Sequence, residues 1–103
     1  MKKHYVASAT KIEAKNWQYT LTCGKDLRDA IEAEDLEGVI WQLKNCYEEL
    51  RDHALIDDDD FERYTEDFDY YDFDDEDIED SIDWELGQFY DLCDNINVWI
   101  PVR

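Results

Sequence analysis

Proline occurs once and glycine three times in 103 residues, and ten basic side chains stand against 29 acidic ones. Each scarcity excludes something. So few breakers rule out a collagen-like or low-complexity chain. The shortage of Lys and Arg leaves a formal charge of −19 and a sequence pI of about 4.1. That sign excludes a protein that grips nucleic-acid phosphates by displacing their counterions, and it opposes adhesion to an anionic leaflet. Cysteine is sparse too. Cys23, Cys46 and Cys93 are odd in number, far apart and form no CxxC pair, so neither a disulfide framework nor a thiolate zinc site is expected. No stretch approaches the roughly 20 apolar residues of a membrane span. Met1-Lys2-Lys3-His4-Tyr5 has no apolar run behind it of the kind a secretory signal needs. The expectation is a soluble protein of a reducing cytoplasm.

Catalytic apparatus is equally thin. His4 and His53 are far apart and belong to no nucleophile or metal motif, and there is no GxGxxG or GxxxxGK[ST] phosphate loop. Cys46 and Cys93 lie on apolar helical faces and read as core. Among so many acids any carboxylate pair is uninformative. An enzyme is not expected, and neither is a cofactor.

Aromatics are present in quantity. They make up 15% of the chain and hydrophobic residues 44%, too much for an acidic chain that stays disordered. One domain spanning residues 1–103 is expected, burying somewhat over about 60% of its unfolded surface.

Residues 5–13 are weakly strand-like, and Trp17, Tyr19, Leu21 and Cys23 alternate with polar neighbours; with residues 14–16 between them they predict an antiparallel hairpin ended by Gly24. Asp26 is placed to cap a short helix with Leu27, Ala30 and Ile31 inward. Asp35 then caps the clearest amphipathic segment, whose inward face is Leu36, Val39, Ile40, Leu43, Tyr47 and Leu50. Asp94-Asn95 stops a last helix, and Ile96, Val98, Ile100 and Val102 alternate as a strand with Pro101 at its edge. The order β-β-α-α-α-α-β predicts an α+β fold. A small three-stranded antiparallel sheet, the amino-terminal hairpin plus the carboxy-terminal strand, would pack against about four helices.

The charge is local. Residues 1–56 carry 8 bases and 10 acids, whereas residues 57–103 carry 2 bases and 19 acids, a net of −17. The densest part, DDDDFERYTEDFDYYDFDDEDIED from Asp57 to Asp80, has 15 acids in 24 residues and Arg63 as its one base. Phe61, Tyr64, Phe68 and Tyr71 fall within about 80° on a helical wheel, and Ile78, Ile82, Leu86, Phe89 and Cys93 continue the phase. Two helices over about 58–71 and 76–94 are predicted, with a break between them because Asp72 to Asp77 is almost all acid and Asp is a weak helix former. Tyr70 and Phe73 leave the apolar stripe and are expected to be exposed contact residues.

Asp72, Asp74, Glu76, Asp80 and Asp83 match the spacing of a calcium loop, but Asp77 sits where the turn needs Gly and Asp83 replaces the bidentate Glu. No dedicated metal site is expected. The acid density has another use. As a continuous helix the 24 residues would span about 36 Å and carry a charge every ~2.4 Å, comparable with the roughly 1.7 Å spacing along duplex DNA. A merely solvated surface is the plain alternative, yet a small domain is kept soluble by a net charge of about 2–8.

In small size, acidic helical patterning and Tyr/Phe interleaving over about Asp57 to Glu85, the chain resembles the DNA-mimic inhibitors of phages and mobile elements: anti-restriction proteins, anti-CRISPR proteins and inhibitors of uracil-DNA glycosylase. These share no single fold. The resemblance implies stoichiometric occlusion of a nucleic-acid-binding groove, without turnover or cofactor, in the cytoplasm of the host cell. The partner would be a basic nucleic-acid-binding protein such as a CRISPR nuclease or a restriction or repair enzyme; neither nucleic acid nor membrane is bound directly, and the chain acts as monomer or homodimer. By density alone, the partner-binding residues are Asp57, Asp58, Asp59, Asp60, Glu62, Glu66, Asp67, Asp69, Asp72, Asp74, Asp75, Glu76, Asp77, Glu79 and Asp80, with Tyr70 and Phe73. Two alternatives are an immunity protein or antitoxin covering a nuclease active site, and a small acidic interaction domain without mimicry.

Overall fold

Asp35 is the strongest helix-start signal in the chain, and its carboxylate accepts a hydrogen bond from the Gly38 backbone N–H at 3.0 Å. A Cβ on Gly38 would lie 2.3 Å from that carboxylate, so the cap and the glycine go together. The helix it opens is the second of four among residues 18–100, the residues that the computed structural model describes. In chain order these residues form β1 (Tyr19–Thr20), α1 (Gly24–Glu32), α2 (Leu36–Asp52), α3 (Asp58–Thr65), a 3₁₀ turn (Phe68–Tyr70), α4 (Ile78–Asn95) and β2 (Val98–Trp99). Gly24 begins a helix instead of ending a hairpin; Cys23 occupies the N-cap position, and Asp26 lies within the first turn.

The described sheet has two strands, short and parallel, and the described fold is mostly helical. This corrects the expected three-stranded antiparallel sheet. Tyr19 pairs with Val98 and Thr20 with Trp99, flanked by Gln18 N–H to Asn97 O at 2.7 Å and Leu21 N–H to Trp99 O at 2.8 Å. Direction is set by α4, which carries the chain back to the end of the sheet where β1 starts. Asn97, at φ 56°, then reverses it into β2. The expected first strand over 5–13, the turn at 14–16, Trp17, Pro101 and Val102 lie outside the described residues.

Scarce glycine shows in the helix ends. Glu34, Ala54 and Asn97 adopt the left-handed φ that follows α1, α2 and α4, a conformation that costs a non-glycine residue about 1–2 kcal/mol. Backbone bonds secure the first two: Asp35 N–H reaches Ala30 O at 3.1 Å and Leu55 N–H reaches Leu50 O at 2.9 Å.

Helix α2 is central and packs on α1, α3 and α4. Its expected inward face is buried at Val39, Ile40, Leu43, Tyr47 and Leu50, with Leu36 half-buried. Cys46 joins them, and Ile82, Leu86, Phe89 and Cys93 of α4 complete the same core. Tyr47 is the hub: Tyr64 stacks on it at 5.3 Å, Phe89 meets it edge-on at 5.0 Å, and Phe68 lies 6.1 Å away. Each fully buried Leu, Ile, Val or Phe of this core contributes about 1.5–3 kcal/mol.

Two carboxylates tie the layers together. Glu49 of α2 accepts from Thr22 N–H at 2.8 Å, Thr22 Oγ1 at 2.7 Å, Cys23 N–H at 3.0 Å and the Tyr19 hydroxyl, fastening the β1–α1 junction. Burial alone would raise its carboxyl, but the Thr22 backbone, Tyr19, Cys23 and the Thr22 hydroxyl together hold it at about 2. Glu85 of α4 is the buried charged residue of the described core, 3% exposed, and accepts from the Tyr71 hydroxyl. Here burial wins and its carboxyl is raised, while the Tyr71 hydrogen bond works in the opposite direction.

A raised acid contributes most stability while protonated, at low pH, and loses that contribution as pH rises through its folded-state pKa. Glu85→Gln keeps an acceptor for Tyr71 without the buried charge, so at pH 7 it is expected to stabilise the fold by about 0.5–1 kcal/mol. Urea denaturation at pH 7 and in mild acid checks this: the advantage shrinks toward acid pH, and a destabilised variant at pH 7 contradicts it.

Candidate partner-binding surface

The acidic segment is built from α3, the 3₁₀ turn, the loop after it and the start of α4. The Asp57 carboxylate caps α3 by accepting from Asp60 N–H at 2.7 Å, and Asp58, Asp59 and Asp60 occupy the first turn, where the helix dipole favours negative charge. One base joins this helix to α2 and another braces it from within. Arg51 of α2 lies 3.9 Å from Asp58 and places its guanidinium 4.2 Å over the Phe61 ring. Arg63 reaches Asp60 at 2.8 Å and lies over the Tyr64 ring at 5.1 Å.

The helix expected over 58–71 stops at Thr65, whose hydroxyl donates back to Phe61 O at 2.8 Å. Phe68 and Tyr71 still point inward, but from the 3₁₀ turn and the extended residue after it. The break expected between the helices occupies 71–77, and the second helix begins at Ile78 instead of residue 76. Its chemistry is local. The Asp72 carboxylate accepts from Asp74 N–H at 3.0 Å and the Asp75 carboxylate from Asp77 N–H at 2.9 Å, two Asx turns that compete with helical hydrogen bonds. The continuous 36 Å rod is therefore replaced by a chain that folds over α2 and α4, with α3 itself about 12 Å long.

Of the fifteen carboxylates from Asp57 to Asp80, all but Asp60 are exposed. Asp57, Asp58, Asp59 and Glu62 belong to the α3 end; Glu66, Asp67 and Asp69 surround the 3₁₀ turn; Asp72, Asp74, Asp75, Glu76 and Asp77 form the loop; Glu79 and Asp80 open α4. Tyr70 is 84% exposed, as its off-stripe position predicts. Phe73 differs: it is half-buried against the core, because the loop turns inward at that residue. Among the described residues no group of three or more His, Cys, Asp or Glu converges to hold a metal, so the calcium-like spacing does not bring its ligands together. No described helix is long and apolar enough to cross a membrane.

Comparison of the chain with family models, curated proteins and solved structures found no match in any of the three.

Two exposed rings escape a reading based on acid density. Trp41 is 65% exposed and Trp84 58%. Both sit on otherwise polar helix faces, and that position was their signal. Trp41 adjoins Phe68 and Phe73 of the acidic segment in one groove, whereas Trp84 lies near Arg63, Tyr64 and Glu66.

Proposed function

We propose that this protein is an acidic inhibitor that occupies the basic nucleic-acid-binding groove of a DNA-processing or defence protein in the cytoplasm. The observation that carries the reading is the set of fourteen exposed carboxylates between Asp57 and Asp80, held on helix ends and Asx turns over a packed aromatic core. A groove shaped for phosphates gains counterion release and electrostatic steering from such a face. Carboxylates fixed by a fold also cost less ordering entropy on binding than those of a loose tail. The protein accepts a stability cost, since like charges repel in the compact state.

Capture from lysate at low salt, elution at high salt and displacement of the captured protein by duplex DNA test the reading. A basic nucleic-acid-binding protein released by DNA is expected. Capture of basic proteins that ignore DNA would favour a plain acidic interaction domain instead.

A further inference from the structure

The acidic segment and α2 enclose a groove of about 440 Å³ whose apolar surfaces are Ile40, Trp41, Phe68 and Phe73. Phe68 and Ile40 form its buried wall, while the Trp41 indole stands largely in solvent. Glu37 and Asp69 also line it and are exposed, with Lys44 the one base there. An exposed indole beside a half-buried Phe ring is costly to leave wet, and aromatic anchors of this kind dominate interface energetics.

Resting on the inhibitor reading above, we propose that this groove receives an apolar side chain that the basic partner presents between Lys or Arg residues. Charge selects the occupant. The groove opens beside the segment that supplies most of the −19, so a flanking base on the partner meets Asp69 or Glu37, whereas a second copy of this chain would bring like charge against like. The acidic face then supplies long-range attraction, and the groove supplies a contact that salt does not screen. Affinity for the partner acquires a salt-resistant component located at Trp41.

The test uses the whole protein and two short Lys/Arg peptides, one with a central Leu and one with Ser in its place, titrated by calorimetry at about 0.15 M and about 1 M salt. The Leu peptide is expected to bind about tenfold tighter than the Ser peptide, with the ratio preserved at high salt. Trp41→Ala, at an exposed position that leaves the fold intact by circular dichroism, should bring the ratio to about one while leaving Ser-peptide affinity unchanged. Trp84→Ala, an equally exposed indole outside the groove, should preserve the ratio. Equal binding of both peptides by the unaltered protein overturns the groove and leaves the acidic reading standing. Binding of neither at low salt overturns both. A Trp84 effect as large as that of Trp41, or self-association abolished by Trp41→Ala, also overturns the assignment.

Discussion

Glu49→Ala is expected to destabilise the protein by about 3 kcal/mol, lowering the melting temperature by roughly 15 °C, because one carboxylate satisfies four donors at the β1–α1 junction. Two of those donors are backbone N–H groups fixed in place by the turn before α1, so no small rotation of side chains finds them another acceptor. Water reaches Thr22, which is exposed, and that keeps the loss below the sum of four charge-assisted bonds. Acidity provides the finer check. A carboxyl held at about 2 against an ordinary value near 4.5 contributes stability that is complete above pH 4.5 and is lost as pH falls toward 2. Glu49→Gln mimics the protonated form. Its stability gap from the unaltered protein should therefore be full at pH 7 and close between about pH 4.5 and about pH 2. A gap that persists undiminished at the acid limit would mean that packing, rather than charge, holds the junction. Comparing the two proteins at each pH removes the background of the other carboxylates, whose repulsion fades over the same range.

The second large effect concerns binding. Reversing Glu66, Asp69, Asp74 and Glu76 to Lys takes the formal charge from −19 to −11, two units per site. All four are exposed, and none has its carboxylate in a cap or Asx turn among the described hydrogen bonds. Asp72 and Asp75 are left intact, since reversing them would also dismantle the loop. Affinity for the basic partner is expected to fall by at least about 100-fold near physiological salt, with a flatter dependence on salt concentration. Melting temperature should hold or rise, because the remaining charges repel less. Unchanged affinity would move the binding surface off this segment.

Much of this was legible in the sequence where the signal was local. Asp35 read as a cap and is one, the α2 stripe read as inward and is buried, and the acidic run between Asp72 and Asp77 read as a break because Asp is a weak helix former; its side chains there bind nearby backbone N–H groups. Tyr70 followed from its phase alone. What failed depended on non-local geometry. Strand direction is fixed by where α4 returns the chain, which no alternation within Tyr19–Leu21 or Val98–Ile100 records. The wheel placed Phe68 and Tyr71 correctly inward but assumed a helix to do so; the protein uses a 3₁₀ turn for Phe68 and the extended residue after it for Tyr71. Phe73 looked free because its wheel phase has no meaning in a loop. Glu49 lay on a polar face with nothing to mark it, since its donors are 26–30 residues away. Glu85 was more accessible: it falls between Ile82 and Leu86 on the α4 stripe, where a carboxyl requires a partner.

Central to the account is that the acidic face takes the place of DNA. A fluorescent duplex bound to the captured partner, titrated with this protein and followed by anisotropy, tests that most directly. Mutually exclusive binding predicts that the apparent dissociation constant for the duplex rises in proportion to the concentration of this protein without reaching a plateau, and that the quadruple Lys variant shifts it little. A ternary complex, in which the partner holds duplex and this protein together with neither affinity reduced, would contradict it.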